Sequence, residues 1–121
     1  MRLGTALDQP QTEFVRDAAI QRFKFSFEVG WKSVQVIARF EAQDCPSPRM
    51  AITTAWRNGW VTDEELWLDM LDERNKTSHT YRESMAQEVF DELPRYLAPL
   101  QALHTSLVSR LNEIEAAPSG A

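Results

Sequence analysis

Read by the spacing of its apolar positions, the chain is helical along most of its length. Ile20, Phe23, Phe27, Trp31, Val34 and Ala38 recur at three- and four-residue intervals, which sets them on one stripe of a helix with 3.6 residues per turn. The stripe predicts a long helix from about Glu13 to Glu41. Phe25, Val29, Val36 and Phe40 fall on the opposite side of that helix. A helix apolar on two opposite faces needs two packing partners, and another chain can supply one of them. No stretch alternates with the two-residue period of a half-buried strand.

Local signals divide the rest. In "CPSPRM", Ser47 has the chemistry of an N-cap and Pro48 suits the first helical position, where its missing N–H costs nothing. A short helix should follow to about Asn58, carrying Met50, Ile52, Ala55 and Trp56, and Gly59 can close it in the left-handed conformation. Thr62 or Asp63 starts a third helix through Leu66, Trp67, Met70 and Leu71, ending near Lys76. "TYRE", residues 80–83, has the form of a capping box. Met85, Val89, Leu93, Tyr96, Leu100, Leu103, Leu107, Leu111 and Ile114 then keep one register for some thirty residues. Pro94 and Pro99 are expected to kink this last helix without breaking it. The tail "AAPSGA" is expected to be loose. The pattern predicts an all-α fold of four main helices, packed as a small bundle.

Composition narrows the class. A chain of 121 residues, 43% hydrophobic and 26% charged, has the length of a single domain (1–121, ordered over about 8–115) and the balance of a globular one. Cys45 is the single cysteine, so no internal disulfide framework exists, and with no base near it in sequence it reads as inert. The start carries no signal-peptide pattern and no apolar run approaches twenty residues, so the cytoplasm is the default compartment and no membrane contact is expected. The net charge of −5 means that any RNA contact must be local.

The chemistry concentrates in "ERNKTSHTY", residues 73–81. Arg74 closes the third helix, His79 falls in the connection, and Tyr81 opens the next helix. A helix N-terminus favours an anion, a guanidinium offers a planar fork to phosphate, and imidazole moves protons near neutral pH. These are parts for cutting RNA without a metal. His79 would carry protons for attack of a 2′-hydroxyl on the adjacent phosphate. Arg74 would stabilise the developing charge, and Asn75 would orient either group. The plainer alternative is polar filler between helices. With ten arginines and two histidines in the chain, about 0.5 chance matches to such an Arg–His spacing are expected. Asp63, Glu64 and Glu65 read as residues complementing a helix dipole. Asp69, Asp72 and Glu73 read as ion-pair partners of Arg74 and Lys76. His104 reads as surface or interface. Neither a metal cluster nor a phosphate-cradling glycine loop is present in the sequence, so no cofactor or metal is expected and the chain is not itself a nucleotidyltransferase.

Three blocks in order, "VRDAAIQRFKFSFEVGWKSV" (15–34), "SPRMAITTAWRNGWV" (47–61) and "ELWLDMLDERNKTSHTY" (65–81), resemble the HEPN superfamily. In particular they resemble the branch of nucleotidyltransferase substrate-binding proteins and HepT-like toxins, over about residues 7–115. The resemblance implies an antiparallel up-and-down helical bundle that forms a homodimer or higher oligomer, encoded beside a minimal nucleotidyltransferase of the MNT type. Active members are metal-independent RNases whose Arg-x4-His pair, followed in this branch by x-Tyr, lies at the dimer cleft. Arg74, Asn75, His79 and Tyr81 fill those places, and Tyr81 would be the residue that the partner silences with AMP. Family members usually begin with a full helix before the segment reading "RLGTALDQP" here. That first helix is therefore expected to be shortened or missing, leaving Phe25, Val29, Val36 and Phe40 without cover.

Two functions follow as expectations. One is an RNase toxin neutralised by a nucleotidyltransferase antitoxin that adenylylates Tyr81. The other is a non-catalytic partner that binds or regulates that enzyme.

Overall fold

The computed structural model describes residues 13–79 and 83–116. Five helices run along them: α1 (Glu13–Arg39), α2 (Pro48–Arg57), α3 (Glu64–Lys76), α4 (Glu83–Glu92) and α5 (Pro94–Ala116). A single 3₁₀ turn, Thr77–His79, follows α3. No strand occurs among the described residues. α1 is the axis of a helical bundle, packing against α2, α4 and α5 and more lightly against α3.

The long helix buries the stripe that its sequence predicts. Ile20, Phe23, Phe27, Val34 and Ala38 are all buried, joined by Ile37. The Phe23 ring stacks on Tyr96 of α5 at 5.7 Å between centroids, and Phe27 lies 6.4 Å from Trp67 of α3. Rings of this size contribute roughly 1.5–3 kcal/mol each when fully buried. Trp31 departs from the expectation: it is only partly buried at the edge of the core. On the opposite face Phe25 and Phe40 remain 63% and 64% exposed, with Val29 and Val36 beside them about half exposed.

Caps behave as local chemistry dictates. The Ser47 hydroxyl accepts from Met50 N–H at 3.2 Å with Pro48 behind it. Asp63 rather than Thr62 caps α3, accepting from Leu66 N–H at 3.0 Å. Pro94 corrects the reading of one continuous last helix. Proline has no N–H for the carbonyl four residues back and its ring crowds that turn. Leu93 therefore leaves the helix and α5 begins on Pro94 itself, giving five helices where the pattern predicted four. Leu93 and Tyr96 stay buried across the break, so the apolar register survives. Pro99 does lie inside a helix, as expected. The capping-box reading of residues 80–83 rests on Thr80, which lies outside the described residues, as do the start before Glu13 and the tail beyond Ala116.

Two helix ends share one geometry. After α2, Trp60 N–H bonds Ala55 O and Gly59 N–H bonds Trp56 O, with Gly59 at φ 76°. After α1, Gln43 N–H bonds Ala38 O and Ala42 N–H bonds Arg39 O, with Ala42 at φ 57°. Both are Schellman closures. The Gln43 and Asn58 side-chain amides bond each other at 2.9 and 3.3 Å, joining the two ends. A left-handed residue with a Cβ costs about 1–2 kcal/mol, part of which glycine returns as unfolded-chain entropy. Ala42→Gly should therefore raise the melting temperature by roughly 2–4 °C. A fall in a circular-dichroism melt would show that Ala42 is unstrained.

Candidate functional site

The last turn of α3 carries Glu73, Arg74, Asn75 and Lys76. Thr77 closes it, its backbone N–H reaching the Arg74 and Asn75 carbonyls and its hydroxyl donating to Arg74 O at 2.5 Å. The chain then turns through Ser78 to His79, whose backbone ends the 3₁₀ turn. Thr80, Tyr81 and Arg82 lie outside the described residues. Tyr81 therefore enters the site by sequence alone, and His79 by its backbone.

Arg74 is held on several sides. Its Nε donates to Glu28 Oε1 of α1 at 2.8 Å and its Nη2 donates to the same oxygen. Nη1 donates to the exposed Asn75 Oδ1 at 3.1 Å. The guanidinium lies over the Phe27 ring, 5.9 Å from its centroid, a distance at which the ring's negative face still attracts the cation. Glu28's second oxygen accepts from Trp31 Nε1 at 3.1 Å and lies 3.8 Å from Lys32 Nζ. Arg74 and Glu28 are each 30% exposed, open enough to meet a ligand. The structure brings the side chains of Arg74 and Asn75 together.

Sequence reasoning misses Glu28, although a signal exists. It is the only acidic residue between Asp17 and Glu41. The expectation that Arg74 pairs with Asp69, Asp72 or Glu73 is corrected by this contact. Arg74 reaches across to α1, Asp69 pairs instead with Arg95 at 3.3 Å, and Glu73 takes Lys76 at 3.2 Å.

Glu73 is also more than a surface ion pair. It is buried, and its Oε2 has no hydrogen-bond partner. Burial raises its carboxyl pKa above the usual value, against the pull of Lys76. Burial together with the Glu73 charge pushes the neighbouring Tyr96 phenol up to about 12. Because Glu73 holds its proton more tightly in the folded chain, its contribution to stability is full below the unfolded value of 4.5. That contribution is lost as pH rises through the higher folded value. Glu73→Gln should therefore raise stability at pH 7 by about 1 kcal/mol, the lost Lys76 pair being worth less. The gain should vanish in melts below pH 4.5; an equal gain at both pH values would contradict the assignment.

The remaining candidates take quieter places. His104 is exposed on α5, bordering a groove with Phe25, Val29 and Leu100. Cys45 is wholly buried, and desolvation raises its thiol pKa, so it is a poor nucleophile. Among the described residues no three His, Cys, Asp or Glu side chains gather as a metal cage. No helix among them is long and apolar enough to cross a membrane.

The all-helical bundle built on α1 is a fold of the small HEPN-type class. Within it, a family model described as nucleotidyltransferase substrate binding protein like matches residues 2–109. The chain belongs to that family. A crystal structure of a protein from Thermus thermophilus is similar to it, at 35% identity and a TM-score of 0.79. The match covers 87% of this chain and 92% of that one. Comparison with curated proteins gives no match.

Proposed function

We propose that the protein is the toxin of a HepT-like toxin–antitoxin pair, a metal-independent endoribonuclease. The observation that carries this reading is the seating of Arg74. A guanidinium fixed by Glu28, Asn75 and Phe27 at a helix end, one turn from His79, is a built receptor for a phosphodiester. In the cleavage a 2′-oxygen forms a bond to phosphorus and the bond to the 5′-oxygen breaks. His79 takes the proton of the 2′-hydroxyl, the leaving 5′-oxygen takes a proton from water, and Arg74 stabilises the charge on the phosphoryl oxygens. The products are a 2′,3′-cyclic phosphate and a 5′-hydroxyl.

The antitoxin is a nucleotidyltransferase of the MNT type; the family description supports a nucleotidyltransferase partner. It transfers AMP from ATP to Tyr81: a bond forms between the phenol oxygen and the α-phosphorus, and pyrophosphate leaves. The added negative charge beside Arg74 repels the RNA phosphate. The protein works in the cytoplasm as a homodimer. The exposed face of Phe25, Val29, Val36 and Phe40 supports that assembly, because apolar patches of this kind favour association.

Expression from a tight promoter, without the neighbouring nucleotidyltransferase, tests the reading. Wild type should arrest growth and degrade RNA while His79→Ala does neither. Co-expression of the nucleotidyltransferase should restore growth and add the mass of AMP to the peptide containing Tyr81. Equal growth and intact RNA for both forms would favour the second reading, a non-catalytic partner of the nucleotidyltransferase. The family description supports that alternative directly. Under it the two proteins copurify without RNA cleavage.

A further inference from the structure

The carboxylate that meets Arg74 is itself built into place. Glu28 sits on α1, 46 residues away in sequence, and takes both Nε and Nη2 of Arg74 on one oxygen. Its other oxygen is occupied by Trp31 Nε1 at 3.1 Å and faces Lys32. Trp31 and Lys32 are three and four residues on, the spacing that places side chains on one helix face. Trp31 packs on the core, so its indole N–H gives the carboxylate an anchored partner.

A guanidinium has five N–H donors. Glu28 takes the side edge made by Nε and one terminal nitrogen, and Asn75 takes a donor on the other. One N–H on each terminal nitrogen remains; with Asn75 on the Nη1 hydrogen that faces Cδ, these two form the end edge, which matches two phosphoryl oxygens. From this division of donors we infer that Glu28 is a positioning residue for cleavage. It fixes the side edge of Arg74 so that the end edge is presented to the scissile phosphate. The inference rests on the nuclease reading above and deepens it.

The same geometry separates Glu28 from a residue that merely stabilises the fold. Its negative charge opposes RNA binding, since it offsets part of the charge of Arg74 and Lys32. Its removal should therefore not weaken binding, only misplace the arginine. Misplacement of a catalytic group by about 1 Å costs on the order of 10²-fold in rate.

The test is cleavage of a fluorescent RNA oligonucleotide by the purified full chain, with kcat and KM determined separately. Glu28→Ala should lower kcat by about 10²-fold with KM unchanged or lower. Glu28→Gln keeps an oxygen for Arg74 but turns an amide toward Trp31 and Lys32, and should recover at least about tenfold of that loss. In an Arg74→Ala background, Glu28→Ala should cost nothing further, because the two act as one unit. If Glu28→Ala fails to fold, the Gln variant and the Arg74→Ala background carry the test. Active wild type with an unchanged kcat in Glu28→Ala overturns this inference alone. So does a loss that Gln does not relieve, or one that adds in full to that of Arg74→Ala. A wild type that leaves RNA intact overturns the nuclease reading and this inference with it.

Discussion

Arg74→Ala is expected to slow RNA cleavage by about 10²–10³-fold, the range for removing a donor aimed at developing charge. The expectation comes from the way the side chain is held. Nε and Nη2 are fixed on Glu28, Nη1 on Asn75, and the plane rests over Phe27. An arginine this constrained needs little reorganisation when the phosphate becomes more negative, which is where catalytic advantage arises. Arg74→Lys should recover little of the loss. An ammonium carries the charge but cannot bond Glu28 through one edge and phosphate through the other. Single-turnover cleavage of a short RNA at saturating enzyme would measure the effect on the chemical step. A Lys variant as fast as wild type would mean that charge alone matters.

The second large effect is on stability. Phe27→Ala should destabilise the fold by about 3–5 kcal/mol, as truncation of a buried ring does. Phe27 is fully buried, tilted against Phe23 and Trp67 at 6.4 Å from each, so neighbours from two helices would border the void. Against a total stability of about 5–15 kcal/mol, such a loss should lower the melting temperature by roughly 10–20 °C. The same substitution removes the surface under Arg74. In whatever fraction remains folded, catalysis should fall as well, which a purely structural core residue would not produce. Urea unfolding with an unchanged m-value and a shifted midpoint would confirm the cavity. A loss below about 1 kcal/mol would contradict the packing described here.

These two residues, in contact with one another and both beside Glu28, mark how far sequence reasoning reaches. Phe27 was legible because burial on a helix repeats with the helix period, and its neighbours Phe23 and Val34 announce the same stripe. Ser47, Pro48 and Gly59 were legible because caps are decided within a few residues. The Glu28–Arg74 contact was not, since nothing local relates two side chains 46 residues apart. Burial of Glu73 was hidden for a similar reason. Its place beside Lys76 suggests a surface pair, and only tertiary packing withdraws its second oxygen from water. At Leu93 the apolar register pointed to continuity, whereas the missing proline N–H decided the backbone. Two local signals conflicted there, and the backbone took the break while the side chains kept the register. Ala42 shows the opposite case: a left-handed residue without the glycine that would have signalled it, held by the same backbone bonds that close α2.

The central claim is that "ERNKTSHTY" forms a working metal-independent nuclease site. It is tested most directly by incubating purified wild type and His79→Ala with 5′-labelled RNA in excess chelator. Proton transfer by a positioned side chain contributes about 10²–10⁴-fold, so the account predicts cleavage by wild type, ending in 2′,3′-cyclic phosphate, and none by the variant over the same time. RNA left intact by both proteins, or cut equally by both, would contradict it.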